Sequence, residues 1–330
     1  MSKIARVLVI VEHVDVQTAA LRRAVQLARR AGAQLYLLQC VFEPVVEVAR
    51  VNAGSEVYRL ARAQLVERYR RALDAQAAAL RESGMVVEAE VLWTAEPHDA
   101  VLVRALELEP DFVIKDLRPA RRGARRAPTS ALDGRLARTC PVPLMFVRPD
   151  TPLLPRHIAL AVDPGLDADD VTHPLNEALA ATALRVATLA DADLRLVHAF
   201  PFRRPVLAVR ASVDLRRLYN DVRASTYDKF GRYADAHAIP ADRRHWLDAG
   251  EPAPAIVQFA AAHEIDLLVI GSTYHSILSR LLLGSVSEAV LARAACDVLL
   301  VKPADFTAQL QRHYDFAALR ERYAPAQAAA

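Results

Sequence analysis

Apolar residues along the chain form short unbroken runs, separated by stretches in which they recur every three or four positions, and this order occurs twice. Val7–Val11 and Ile158–Val162 are continuous aliphatic runs, each followed by an acid, Glu12 and Asp163. Runs of that length without polar alternation predict parallel strands buried on both faces. Helical periodicity follows over Val16–Arg30 and Leu175–Leu189, then second strands over Gln34–Val41 and Asp193–Phe200. Next come long helical segments (Ser55–Ser83, Asp214–His237) and strands that carry tryptophan (Val86–Trp93, Arg243–Leu247). The phrase after that strand is nearly duplicated, Thr94-Ala95-Glu96-Pro97 and Asp248-Ala249-Gly250-Glu251-Pro252, with a proline suited to a first helical turn. Fourth strands (Asp111–Asp116, Asp266–Ser272) and fifth strands (Pro143–Val147, Val298–Val301) complete each copy.

Strands joined through ten or more helical residues run parallel, with right-handed crossovers. The pattern therefore predicts an α/β chain with two doubly wound, five-stranded parallel-sheet domains, residues 1–149 and 156–303. Three prolines in Arg148–Arg156 (Pro149, Pro152, Pro155) resist either regular structure and mark the linker. Residues 304–330 predict a tail with one short amphipathic helix, packed on the second domain or on a partner.

Composition adds bounds. A length of 330 residues is twice the usual domain of roughly 150. A net charge of +3 is too small to imply nucleic acid or an anionic membrane as a partner of the whole molecule. No apolar stretch approaches the roughly 20 residues of a membrane span, and the N-terminal run lacks a cleavage signature, so a soluble, cytoplasmic protein is expected. Cys40, Cys140 and Cys296 are odd in number and have no CxxC spacing, which suits core thiols in a reducing compartment.

In an open parallel sheet, ligands bind beyond the carboxyl ends of the strands, where strand order reverses. In the second half the fourth strand runs into Gly271-Ser272-Thr273-Tyr274, and a later Gly284-Ser285-Val286-Ser287-Glu288 opens a helix. Glycine lets backbone approach a ligand, and serine hydroxyls add donors to the free N–H groups of a helix start, so the segment reads as a phosphate cradle. It reads equally as a plain N-cap, with Glu288 as the capping-box partner of Ser285. With Asp163 ending the first strand, the arrangement resembles the universal stress protein family, whose nucleotide-binding members show glycine, two residues, glycine, nine residues, glycine, then serine or threonine. The resemblance covers both halves, and His173-Pro174-Leu175-Asn176-Glu177 makes it similar to the tandem E-type proteins.

The resemblance implies an adenine nucleotide, ATP or AMP, in the second half, with Mg²⁺ only in company with its phosphates. It places Asp163 and Pro164 at ribose or adenine, His198 and Ala199 at the adenine edge, and Gly271 and Ser272 beside the ribose. Gly284, Ser285, Val286 and Ser287 fall at the phosphates. Tyr274 replaces the family's second glycine, where its side chain crowds the phosphates or stacks on another ligand. The first half departs further, with Lys115-Asp116-Leu117 at the end of its fourth strand, Pro128-Thr129 at the cradle and Glu12 for the aspartate, so no nucleotide is expected there. The resemblance also implies pairing of the two halves, with a homodimer as the alternative.

Other features carry less. Five arginines within Arg118–Arg126 suit phosphate or RNA, but without interleaved aromatics they read as a solvated loop. His245, His263 and His275 lack metal-ligand spacing. No Walker A sequence and no G-x-S-x-G elbow occurs, so a regulatory protein is expected, with at most slow ATP hydrolysis. The alternatives are an assembly module without nucleotide, or a site recruited for another small ligand.

Overall fold

The computed structural model describes residues 3–52, 55–117, 130–166, 174–201, 215–272, 286–312 and 314–323. Two compact units emerge, one of residues 155–304 and one of the first half together with residues 305–330.

In the first-half unit the strands are β1 (Arg6–Ile10), β2 (Gln34–Val41), β3 (Val87–Trp93), β4 (Phe112–Asp116) and β5 (Leu144–Val147). They form a parallel sheet in the order β3-β2-β1-β4-β5, which reverses direction at β1 and β4 as a doubly wound sheet does. Helices α1 (Ala19–Ala31), α2 (Pro44–Asn52), α3 (Ser55–Glu82), α4 (Pro97–Leu108) and α5 (Ala131–Thr139) lie between them. Helix α1 starts three residues later than its periodicity suggests because Thr18 caps it, its hydroxyl accepting the Leu21 N–H at 3.3 Å. It ends where Gly32 takes the left-handed conformation (φ 64°) that side chains resist. Helix α2 was not expected, since Val45, Val46 and Val48 are β-branched residues that favour strands. Pro44 stands at its start, where a missing N–H costs nothing.

The second unit repeats the plan with β6 (His157–Ala161), α6 (Pro174–Ala190), β7 (Asp193–Pro201), α7 (Leu215–Ala236) and β8 (Arg244–Ala249), then α8 (Pro252–Ala262), β9 (Leu267–Gly271), α9 (Val286–Arg293) and β10 (Asp297–Val301). Its strands lie parallel in the order β8-β7-β6-β9-β10. Val7, Leu8 and Val9 in one unit and Ile158, Ala159 and Leu160 in the other are completely buried, as continuous aliphatic runs at sheet centres require. Pro97 and Pro252 both open helices. No helix among the described residues is long and apolar enough to cross a membrane.

The tail corrects its expectation. It forms two short helices, α10 (Phe306–Gln311) and α11 (Phe316–Tyr323), and belongs to the first-half unit rather than the second domain. Tyr323 is buried against Ala100 and Val103 of α4. Its hydroxyl lies 3.0 Å from that of Thr94, and its carbonyl accepts from Arg104 Nη2 at 2.7 Å. The helix period alone could not choose between the two halves, because the anchor is one aromatic whose polar partners come from β3's end and α4.

Candidate functional site

The carboxyl ends of β6, β7 and β9 share one edge of the second sheet, with β6 between the other two. Asp163 stands two residues beyond β6, just before a short 3-10 turn, Pro164–Leu166, and its Oδ1 accepts the Gly165 N–H at 3.0 Å. Its carbonyl accepts from Asn176 Nδ2 (3.0 Å), and the Asn176 carbonyl accepts the Tyr233 hydroxyl (2.7 Å). Asn176 of α6 and Tyr233 of α7, both buried, thus fix the main chain at Asp163 while its side chain stays exposed and Pro164 is buried.

On β7, His198 is 3% exposed and packs 4.8 Å from the Trp246 ring, with Phe200 and Phe230 close by. Its Nδ1 lies 2.9 Å from the Val162 carbonyl, so that nitrogen carries the proton and Nε2 keeps a lone pair with no hydrogen-bond partner among the described residues. Burial pushes its pKa below the ordinary 6.5, against the opposing pull of the Val162 carbonyl and Asp163. Ala199 follows, and because Val197 accepts the Val162 N–H (3.1 Å), the alternation of the ladder turns the main chain of Ala199 to the same side, past the last residue of β6.

Gly271 ends β9 opposite Val301. A Cβ there would stand 2.7 Å from Leu175 Cδ2, so the glycine lets α6 seat its first leucine against the strand end. Ser272 is buried, and its hydroxyl accepts from Lys302 Nζ at 2.8 Å. Lys302, itself buried, was missed in the sequence; the available signal was a lysine directly behind the apolar run of β10. Val286 and Ser287 open α9, with Ser287 buried. Tyr274, Gly284 and Ser285 lie outside the described residues, as do Pro128, Thr129, His173, His275 and Arg118–Arg126. The structure therefore brings Asp163, Pro164, His198, Ala199, Gly271 and Ser272 to one sheet edge, with Lys302 added to them.

The same edge of the first unit is filled by the chain's own charges. Asp116 pairs with Val147 as Gly271 pairs with Val301, and its Oδ1 accepts the Ala20 N–H at 2.9 Å, occupying the N-terminus of α1. Lys115, fully buried, holds Glu12 Oε1 at 2.5 Å and Asp133 Oδ1 at 2.7 Å. Asp133 also completes a capping box with Ser130 at the start of α5.

His245 stands near the start of β8 and His263 just behind α8. His245 and His263 meet with ring centroids 5.0 Å apart, and His263 Nδ1 lies 2.9 Å from Arg195 Nη1. Among the described residues no group of three or more histidines, cysteines or acids is placed to hold a metal. Cys140 and Cys296 are buried and Cys40 half-buried, all as free thiols.

Comparison with known proteins places this geometry. The chain matches the Universal stress protein family over residues 3–148 and again over 156–302. It is similar to Universal stress protein E of Salmonella typhi, 26% identical over 310 residues covering 93% of this chain and 96% of that protein. The Escherichia coli K12 protein of that description is 25% identical over 307 residues, with 92% and 95% covered. Among solved structures, a functionally unknown protein of Pseudomonas aeruginosa PAO1 has the same fold, with a TM-score of 0.72 at 23% identity over 94% of this chain and 96% of that one.

Proposed function

Since the chain belongs to the universal stress protein family, as two domains in tandem of the E type, we propose that it is a regulatory stress protein whose second domain holds an adenine nucleotide, ATP or AMP, and whose first domain holds none. The observation that carries this reading is the contrast between the two sheet edges at the same topological point. In the second, Asp163 and Gly271 stand on adjacent strand ends, with the Ser272–Lys302 pair behind them. In the first, Lys115, Glu12, Asp133 and Asp116 supply internally every charge that a bound anion and its counter-groups would bring.

Each residue has a task in this reading. The exposed Asp163 carboxylate accepts ribose hydroxyls, held in place by Asn176 and Tyr233. The Ala199 main chain meets the adenine edge, and His198, neutral and with a bare Nε2, accepts rather than donates a hydrogen bond. The phosphates take Gly284, Ser285 and the first N–H groups of α9, with the Lys302 ammonium adding opposite charge. Mg²⁺ arrives only with those phosphates. In this reading the ligand is held rather than turned over, and its binding changes what the surface offers to partners. Work in the cytoplasm and as a dimer belongs to the same reading.

Calorimetric titration of the full chain with ATP, ADP and AMP tests it. One saturable site per chain is expected, weakened at least tenfold by Asp163→Ala and by Gly284→Leu with the fold intact by circular dichroism. Absence of binding at millimolar nucleotide removes the proposal.

A further inference from the structure

A cavity of about 420 Å³ lies in the first-half unit, away from its sheet edge of internal charges. Its floor is five consecutive residues of β3, Ala89–Trp93, and β3 is the outermost strand of its sheet. One wall is a stripe of α3 that runs from Arg62 through Val66 and Arg70 to Asp74, and the other end is closed by Arg322 and Tyr323 of α11.

The main chain of β3 is laid out for a further strand. Leu35 donates to the Val86 carbonyl and Thr94 to that of Val41, both at 2.9 Å. The alternation of a parallel ladder then turns residues 86, 88, 90, 92 and 94 toward β2, and Val87, Ala89, Val91 and Trp93 outward. Arg81 Nε already takes the Val87 carbonyl (2.9 Å), whereas the outward groups of Ala89, Val91 and Trp93 have no hydrogen-bond partner among the described residues. That free edge extends roughly 13 Å, enough for four or five residues of an extended chain.

Charge says which chain. Arg322 has no ionic partner among the described residues, Arg62 lies 5.9 Å over the Trp93 ring and is attracted by the Glu47 carboxylate without a direct bond to it, and Arg70 reaches Glu67 at 3.4 Å on the exposed face of α3. The Glu90 carboxylate in the floor is already saturated, by two bonds of 2.7 Å from Arg104 and one of 2.5 Å from Tyr36. Asp74 is the single other acid in the lining, against three arginines. A small anion would use the arginines but leave the alternating carbonyls unmatched. An extended acidic peptide uses both, through its backbone on the strand edge and its carboxylates on the guanidinium groups.

We infer that the cleft between α3, β3 and α11 binds an extended acidic segment of a partner protein, which adds to the first sheet beside β3. The site is independent of the nucleotide reading and lies in the other unit.

The test is a fluorescence-polarisation titration of the full chain with a fluorescein-labelled peptide alternating glutamate with threonine. Saturable binding is expected, weakened at least tenfold in Arg62→Glu/Arg322→Glu, whose melting curve checks that it folds, and intermediate in Arg62→Gln/Arg322→Gln. The same peptide N-methylated along one edge is expected to lose at least tenfold, and its lysine counterpart not to bind. No saturable binding at millimolar peptide, or binding indifferent to the arginine changes, overturns the inference. So do undiminished binding by both N-methylated edges, and competition by free glutarate at the concentrations at which the peptide itself competes, which would mark a site for small anions.

Discussion

Replacing Lys115 by methionine perturbs the most buried charge of the first unit. The lysine is completely buried, Asp133 equally so, and Glu12 retains 12% of its side-chain exposure. Its ammonium touches both carboxylates, at 2.5 and 2.7 Å, so the substitution removes a countercharge shared by two acids in a site with little access to water. Breaking one buried pair costs about 3–5 kcal/mol, because the buried partner loses the charge that offsets its own. In a domain of about 150 residues each kcal/mol lowers Tm by about 2–4 °C, so the first unit is expected to melt roughly 6–20 °C lower. The two tryptophans separate the units for the assay, since Trp93 lies on β3 and Trp246 on β8. Urea titrations of Trp246→Phe chains report on the first unit and those of Trp93→Phe chains on the second, whose midpoint is expected not to move. Glu12→Leu/Lys115→Met/Asp133→Asn removes the whole charge set and is expected to recover at least half of the loss, since a buried triad exchanged for apolar groups is often neutral or stabilising. A loss below about 1 kcal/mol for the single change, or a triple variant as unstable as the single one, refutes the view that these charges hold one another in place.

Two further outcomes follow from buried polar groups. Arg104→Met strips Glu90 of its bidentate partner and Tyr323 of the donor to its carbonyl, at a cost of about 3 kcal/mol, and limited proteolysis is expected to cut within residues 312–323 before the rest of the unit; unchanged cleavage would count against the tail's anchorage. His98 and His198 are held neutral, their pKa values pushed below 6.5 by burial, so between those lowered values and 6.5 the unfolded chain carries more protons than the folded one. Stability therefore rises with pH through that window, and Tm is expected to fall from about pH 7.5 to about pH 5.5, with a shallower fall in His98→Asn/His198→Asn. An equal slope in both chains would assign the pH dependence elsewhere.

The strands were legible because an unbroken aliphatic run between charged segments has few other uses; Gln34–Val41 begins and ends where its sequence says. Boundaries moved where a single side chain decides them, as Thr18 does at α1. Helix α2 was hidden by its valines. In the candidate site, Asp163, Gly271 and Ser272 could be read because each lies at a strand end or within two residues of one, where position along the chain fixes position on the sheet edge. Lys302 and the Lys115–Glu12–Asp133 set could not, since their meaning lies in which distant carboxylate or hydroxyl they meet. Reading Lys115-Asp116-Leu117 as the loss of a glycine captured only half of the change, the other half being the carboxylate of Asp116 seated on α1. The docking of Tyr323 on α4 was likewise invisible, because Thr94 and Arg104 are more than two hundred residues away.

That last contact bears on the order in which the molecule is made. A ribosome finishes the five strands of the first sheet by Val147, yet the helix that covers Ala100 and Val103 is not synthesised until about 170 residues later. At ordinary elongation rates the nascent first domain waits on the order of ten to thirty seconds with that apolar patch and Arg104 uncovered. A chaperone has that interval in which to engage it, and any message truncated after the second domain would release a protein whose earliest part is the one left unfinished.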